Sequence, residues 1–127
     1  MRILALDFGS ARTGVAVSDA TGTLARPVGV VERAASETGL ARLVELVVAE
    51  EAELVVVGLP LTLRGEHGAQ AVETEAFVEA LRGQLDVPVE TYDERFTTAL
   101  AQQTAGRAPE DAVAAAHLLQ GWLERGR

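Results

Sequence analysis

The chain contains no cysteine and no lysine: each of its 11 basic residues is an arginine. Without thiols there can be neither a disulfide scaffold nor a Cys-based metal site. Without lysine, any contact to an anion must come from a guanidinium, a backbone N–H or a hydroxyl. Aromatic residues make up 4% of the sequence, too few for a stacking platform that runs along a single strand. No apolar run approaches the length of a membrane span, and Met1 leads directly into a strand-like stretch, so the sequence predicts a cytoplasmic protein with no membrane partner. Basic charge is also scarce. The formal net charge of -8 is the reverse of a simple nucleic-acid coat protein, and binding a polyanion would require a local arginine patch or metal ions.

What is present is a 127-residue chain, 48% hydrophobic, with neither an internal repeat nor a low-complexity linker, which predicts a single domain over 1–127. Ile3 to Phe8 and Thr13 to Ser18 read as strands joined by a tight turn. Leu24 to Glu32 adds a third strand that Pro27 restricts to a sheet edge. Ser36 is placed to cap a helix whose apolar positions are Leu40, Leu43, Val44, Val47 and Val48. Leu54 to Gly58 has the unbroken apolar character of a strand buried on both faces. A second helix follows through Val72, Ala76, Phe77, Ala80 and Leu81, then a strand over Val87 to Tyr92. Helical segments over Thr97 to Thr104 and from Pro109 to about Glu124 complete the order βββαβαβαα. A strand meander followed by alternating helices and strands implies an α/β fold with helices on a mixed sheet.

Carboxylates recur at the ends of these elements. Asp7 closes the first strand, Asp93-Glu94 follows the last, and Asp111 opens the final helix. An acid that ends a buried strand needs a partner to offset its desolvation, whereas Asp111 alone could simply complement a helix dipole. Together, acids without His or Cys suit hard divalent cations such as Mg²⁺ or Mn²⁺. A pair of ions about 3.5–4 Å apart would suit in-line attack on a phosphodiester. Arg12 and Arg95 could hold phosphate oxygens or neutralise the neighbouring carboxylates. Thr97 and Thr98 could touch a nucleic-acid backbone or cap a helix. His67 reads as a loop residue, while Phe77 and Trp122 read as core.

The stretches Leu6-Asp7-Phe8-Gly9-Ser10-Ala11-Arg12-Thr13-Gly14, Val57-Gly58-Leu59-Pro60-Leu61, Asp93-Glu94-Arg95-Phe96-Thr97-Thr98 and Asp111 to Gln120 resemble the YqgF/RuvX family, in order and spacing, over essentially the whole chain. The family is similar to RuvC-type Holliday junction resolvases. Resemblance therefore implies an RNase H-like fold with a central five-stranded mixed sheet flanked by helices. It further implies a metal-dependent nuclease in which Asp7, Glu94 and Asp111 bind Mg²⁺ or Mn²⁺ and carry the catalysis. The substrates it implies are pre-16S rRNA, matured at its 5′ end within or beside a pre-ribosomal particle, or branched DNA. A non-catalytic nucleic-acid-binding module is a further reading, and both monomer and homodimer are compatible with the sequence. The chain departs from the family at Ala11, where a basic residue is common, and over 101–110, which is short and has Arg107 as its only basic residue. The first stretch also resembles the phosphate loop of the actin, sugar kinase and Hsp70 superfamily, but those proteins clamp ATP between two such units, and no second phosphate loop occurs in this sequence.

Overall fold

The computed structural model describes residues 1–60, 68–93 and 110–125. The elements are β1 (Ile3–Asp7), β2 (Arg12–Ser18), β3 (Ala25–Glu32), α1 (Glu37–Ala49), β4 (Leu54–Leu59), α2 (Ala69–Arg82), β5 (Val89–Asp93) and α3 (Glu110–Glu124). The segment expected to be helical over Thr97 to Thr104 lies outside the described residues.

Five strands form one mixed sheet in the order β3-β2-β1-β4-β5. The meander β1-β2-β3 is antiparallel, and β1, β4 and β5 run parallel to one another. Pro27 lies on the edge strand, as its missing donor requires. The ladder there is irregular: Val15 pairs with Gly29 but Ala16 with Pro27, so Val28 is the extra residue of a bulge. Pro88 stays out of the ladder as a donor and instead uses its carbonyl to accept from Val55 N at 3.0 Å, which is why β5 begins one residue later. The other edge strand is covered by Arg82, whose guanidinium donates to the Val89 carbonyl at 2.8 and 3.2 Å.

Strand alternation sorts the core into two layers. Leu4, Leu6, Val15, Val55 and Val57 pack with α1 and α2. Ile3, Ala5, Ala16, Leu54 and Val56 pack with Ala115, Leu118, Leu119 and Trp122 of α3. The first helix is capped as expected, with Ser36 Oγ accepting from Gly39 N at 3.0 Å. Ser36→Ala is therefore expected to lower stability by about 1 kcal/mol in a denaturant titration; an unchanged midpoint would show that water replaces the cap at no cost.

Both expected apolar stripes need correction. In α1 the buried residues are Gly39, Leu40, Leu43, Leu46 and Val47, and Val48 is 72% exposed. In α2 they are Ala71, Thr74, Phe77, Val78 and Leu81, and Val72 is 60% exposed. Apolar residues nearly encircle α1, so periodicity permits either stripe and the sheet selects one. In α2, Thr74 can be buried because its hydroxyl donates to the Gln70 carbonyl within the same helix at 2.8 Å. Phe77 is held by stacking on Phe8, with ring centroids 4.4 Å apart.

The β2–β3 turn is organised by Asp19. Its carboxylate accepts from Thr23 N (2.8 Å), Thr21 Oγ1 (2.7 Å) and Leu24 N (3.2 Å). These donors, Thr23 N foremost, then Thr21 and Leu24, pull its pKa from 3.8 down to about 2. Because the folded value is the lower one, the turn's stabilisation is complete above about pH 4 and is lost as pH falls through about 2. A carboxyl-detected NMR titration is expected to place the Asp19 midpoint near 2. A midpoint at the ordinary aspartate value would contradict the turn geometry.

Candidate active site

Because β1, β4 and β5 are parallel, their C-terminal ends share one edge of the sheet, and antiparallel β2 begins there. Asp7 is the last residue of β1 and is half-buried. Alternation from Ile3 and Ala5 places it on the face that α3 covers. Directly opposite it on β2 is Gly14, on the same face by its spacing from Ala16.

Gly14 brings the final helix to this point. A Cβ built on it would lie 1.8 Å from the carbonyl oxygen of Asp111, 2.3 Å from its carbonyl carbon and 3.0 Å from Ala112 N. The first turn of α3 thus rests on the bare α-carbon of Gly14, and the backbone of Asp111 sits beside the strand partner of Asp7. Arg12 occupies the next position of the same parity, and its Nε lies 3.4 Å from Asp111 Oδ2. Three residues singled out in the sequence, Asp7, Arg12 and Asp111, therefore meet at one edge.

On β5, Tyr92 packs in the layer beneath α3, its ring edge-on to Trp122 at 5.7 Å and its hydroxyl donating to the Gly121 carbonyl at 3.3 Å. Asp93, one residue on, has the opposite parity to Tyr92 and belongs to the face of α1 and α2, away from Asp7. Glu94, Arg95, Thr97, Thr98 and His67 lie outside the described residues. Among the described residues no group of three His, Asp or Glu is gathered. His117 is half-buried on α3, and Trp122 and Phe77 are core residues, as their spacing implied.

Asp7 and Asp111 offer only carboxylate oxygens, and the Asp111 side chain is 35% exposed. Such a donor set fits a hard divalent cation that keeps part of its water shell, and it does not fit a soft or thiolate-seeking metal. On the other face of the same edge, Phe8, Ser10, Pro60, Gln70 and Glu73 line a cleft of about 110 Å³, where Phe8 is held by its stack on Phe77. The sequence places Gly14 in a family-like stretch but does not show its role as the seat of α3, and it does not single out the cleft-lining Gln70 and Glu73. For Gly14 the role is not local, since the group that requires its missing side chain is 97 residues away. Gln70 and Glu73 occupy solvent-type positions in the helix pattern.

The family model RuvX, described as Holliday junction resolvase, matches residues 1–125. The chain belongs to the RuvX family. A relative from Chloroflexus aggregans, named "Putative pre-16S rRNA nuclease", is 42% identical over 134 residues, covering 98% of this chain and 94% of the relative. One of the same name from Nocardia farcinica is 44% identical over 139 residues, covering 97% and 77%. Among solved structures, T. thermophilus RuvC in complex with a Holliday junction substrate superposes with a TM-score of 0.66 at 19% identity, covering 99% of this chain and 96% of that one. That likeness is one of fold, and it bears out the RNase H-like α/β architecture. As a member of RuvX the chain is a nuclease, a hydrolase of phosphodiester bonds. No described helix is long and apolar enough to cross a membrane.

Proposed function

We propose that this chain is a divalent-metal-dependent endonuclease that trims the 5′ end of the small-subunit ribosomal RNA precursor in the cytoplasm. The observation that carries the reading is the convergence of Asp7 and Asp111 across Gly14 at the C-terminal edge of the sheet. Asp7, Asp111 and Glu94 would hold Mg²⁺ or Mn²⁺, two ions in the fullest form, and the bound metal would supply an activated water and neutralise the charge that develops on the phosphate. Strand parity puts Asp93 on the face away from Asp7, which argues against Asp93 as the third acid and leaves that role to Glu94 on the motif alone. Arg12 and Arg95 supply guanidinium forks for phosphate oxygens, and Thr97 and Thr98 supply hydroxyls to the backbone of the strand. A chain without lysine and with a net charge of -8 depends on those arginines and on the metal for its hold on a polyanion.

Ribosomal RNA is preferred because relatives sharing 42% and 44% identity over nearly the whole chain carry that name, whereas the resolvase structure shares 19%. The single domain 1–127 would work as a monomer on RNA, with a pre-ribosomal particle as its partner. A resolvase would need two sites related by two-fold symmetry, hence a homodimer.

The test is cleavage by purified protein of a structured 5′ segment of the rRNA precursor and of a four-way DNA junction, each with Mn²⁺, Mg²⁺ or EDTA. Cutting of the RNA with either metal and none in EDTA is the expected result. Symmetric cutting of the junction with the RNA left intact would replace the rRNA reading by the resolvase one. Cutting that persists in EDTA would remove the metal from the mechanism.

A further inference from the structure

The Arg12–Asp111 pair joins an arginine at this edge to an acid that the proposed activity needs for a metal. Its side chains are 65% and 35% exposed and its separation is 3.4 Å. An ion pair so wet is worth roughly fivefold or less in an equilibrium constant, so a competing divalent cation can displace it. The two partners differ in freedom. Asp111 is fixed by the seat of α3 on Gly14. Arg12 has a fixed backbone and a free head: a Cβ on Gly9 would meet the Arg12 carbonyl at 2.5 Å, and Arg33 N donates to the adjoining Ala11 carbonyl at 3.0 Å, but the guanidinium projects into solvent. Were a divalent cation to bind Asp111, Arg12 would become the like-charged neighbour and would turn to the remaining anions, Glu32 opposite it on β3 or an incoming phosphate oxygen.

We propose that Arg12 is an exchangeable counter-ion: it neutralises Asp111 while the acid is metal-free, and cation binding releases it to hold the phosphate backbone of the substrate. This rests on the reading of Asp7 and Asp111 as cation-binding acids. It makes metal and nucleic-acid binding mutually reinforcing through one side chain of this protein.

The experiment uses the full chain, Mn²⁺ titrated calorimetrically without substrate, and a single-stranded RNA oligonucleotide titrated in Ca²⁺ or in EDTA. Arg12→Gln is expected to bind Mn²⁺ roughly two- to fivefold more tightly than the unaltered chain. It should bind the RNA more weakly in Ca²⁺ and within about twofold of the unaltered chain in EDTA, where Asp111 holds the arginine of the unaltered chain and the variant has none. Arg12→Lys keeps the charge and should leave Mn²⁺ affinity near the starting value. Unchanged or weaker Mn²⁺ binding by Arg12→Gln overturns the proposal, as does an equal loss of RNA binding with and without Ca²⁺. If the unaltered chain takes no Mn²⁺, or Asp7→Asn takes it equally well, the reading of the acids fails and the exchange falls with it.

Discussion

Replacing Asp7 by Asn is expected to reduce metal-dependent cleavage by on the order of 10³-fold while the chain stays folded. The substitution keeps the size of the side chain but removes the charge that a hard cation requires. Losing metal-derived stabilisation of the transition state forfeits several kcal/mol, and each 1.36 kcal/mol is about a factor of ten in rate. Stability should not fall with it. Asp7 ends β1 at the rim of the sheet and is only half-buried, and Asn keeps its size, so the fold loses little support. Single-turnover cleavage in Mn²⁺ measures the first effect and thermal unfolding the second. A variant that cuts at the normal rate would exclude Asp7 from the chemistry, and one that unfolds would make the residue structural.

Gly14→Ala is expected to cost about 1–3 kcal/mol in stability and at least about 100-fold in cleavage. The added methyl would lie 1.8 Å from the carbonyl oxygen of Asp111, which is backbone and cannot rotate away, so the first turn of α3 must lift from β2. Lifting it moves Asp111 away from Asp7 and separates the two acids. Glycine in a strand is ordinarily a weakness, so the generic expectation for this change is a slight gain. Gly29 on β3 supplies the control. A Cβ there meets nothing within 4 Å, and Gly29→Ala should be neutral or stabilising by about 0.4–1 kcal/mol with cleavage unchanged. Unfolding midpoints and cleavage rates of the two variants, compared side by side, decide the matter. Equal behaviour would mean that α3 is not seated through Gly14.

Much of this molecule is written locally. The three-strand meander follows from β-branched runs broken by turns, the edge position of β3 from Pro27, the cap of α1 from Ser36, and the doubly buried β4 from its continuous Leu54 to Val57 run. Each depends on interactions that span only a few residues or on one strand's own two faces. The acids too were legible as types, because a carboxylate that ends an apolar strand stands out against its cost of burial. The four motif stretches placed the chain in its family for the same reason: each motif is contiguous.

What remained for the tertiary structure was everything that depends on a partner distant in the chain. Which stripe of α1 and α2 is buried was settled by the sheet they pack on, since the helices' own patterns admit more than one answer. The face of β1 that carries Asp7, the opposite face that takes Asp93, and the pairing of Arg12 with Asp111 follow from strand register and from the seat of α3, to which no window of sequence refers. Local residue patterns account for most of the elements and for the chemistry available to them. Only the fold decided that residues 7, 12, 14 and 111 should meet, because contact at a sheet edge is set by how strands pair and where a helix can approach, and a missing Cβ on Gly14 is what lets it come close enough.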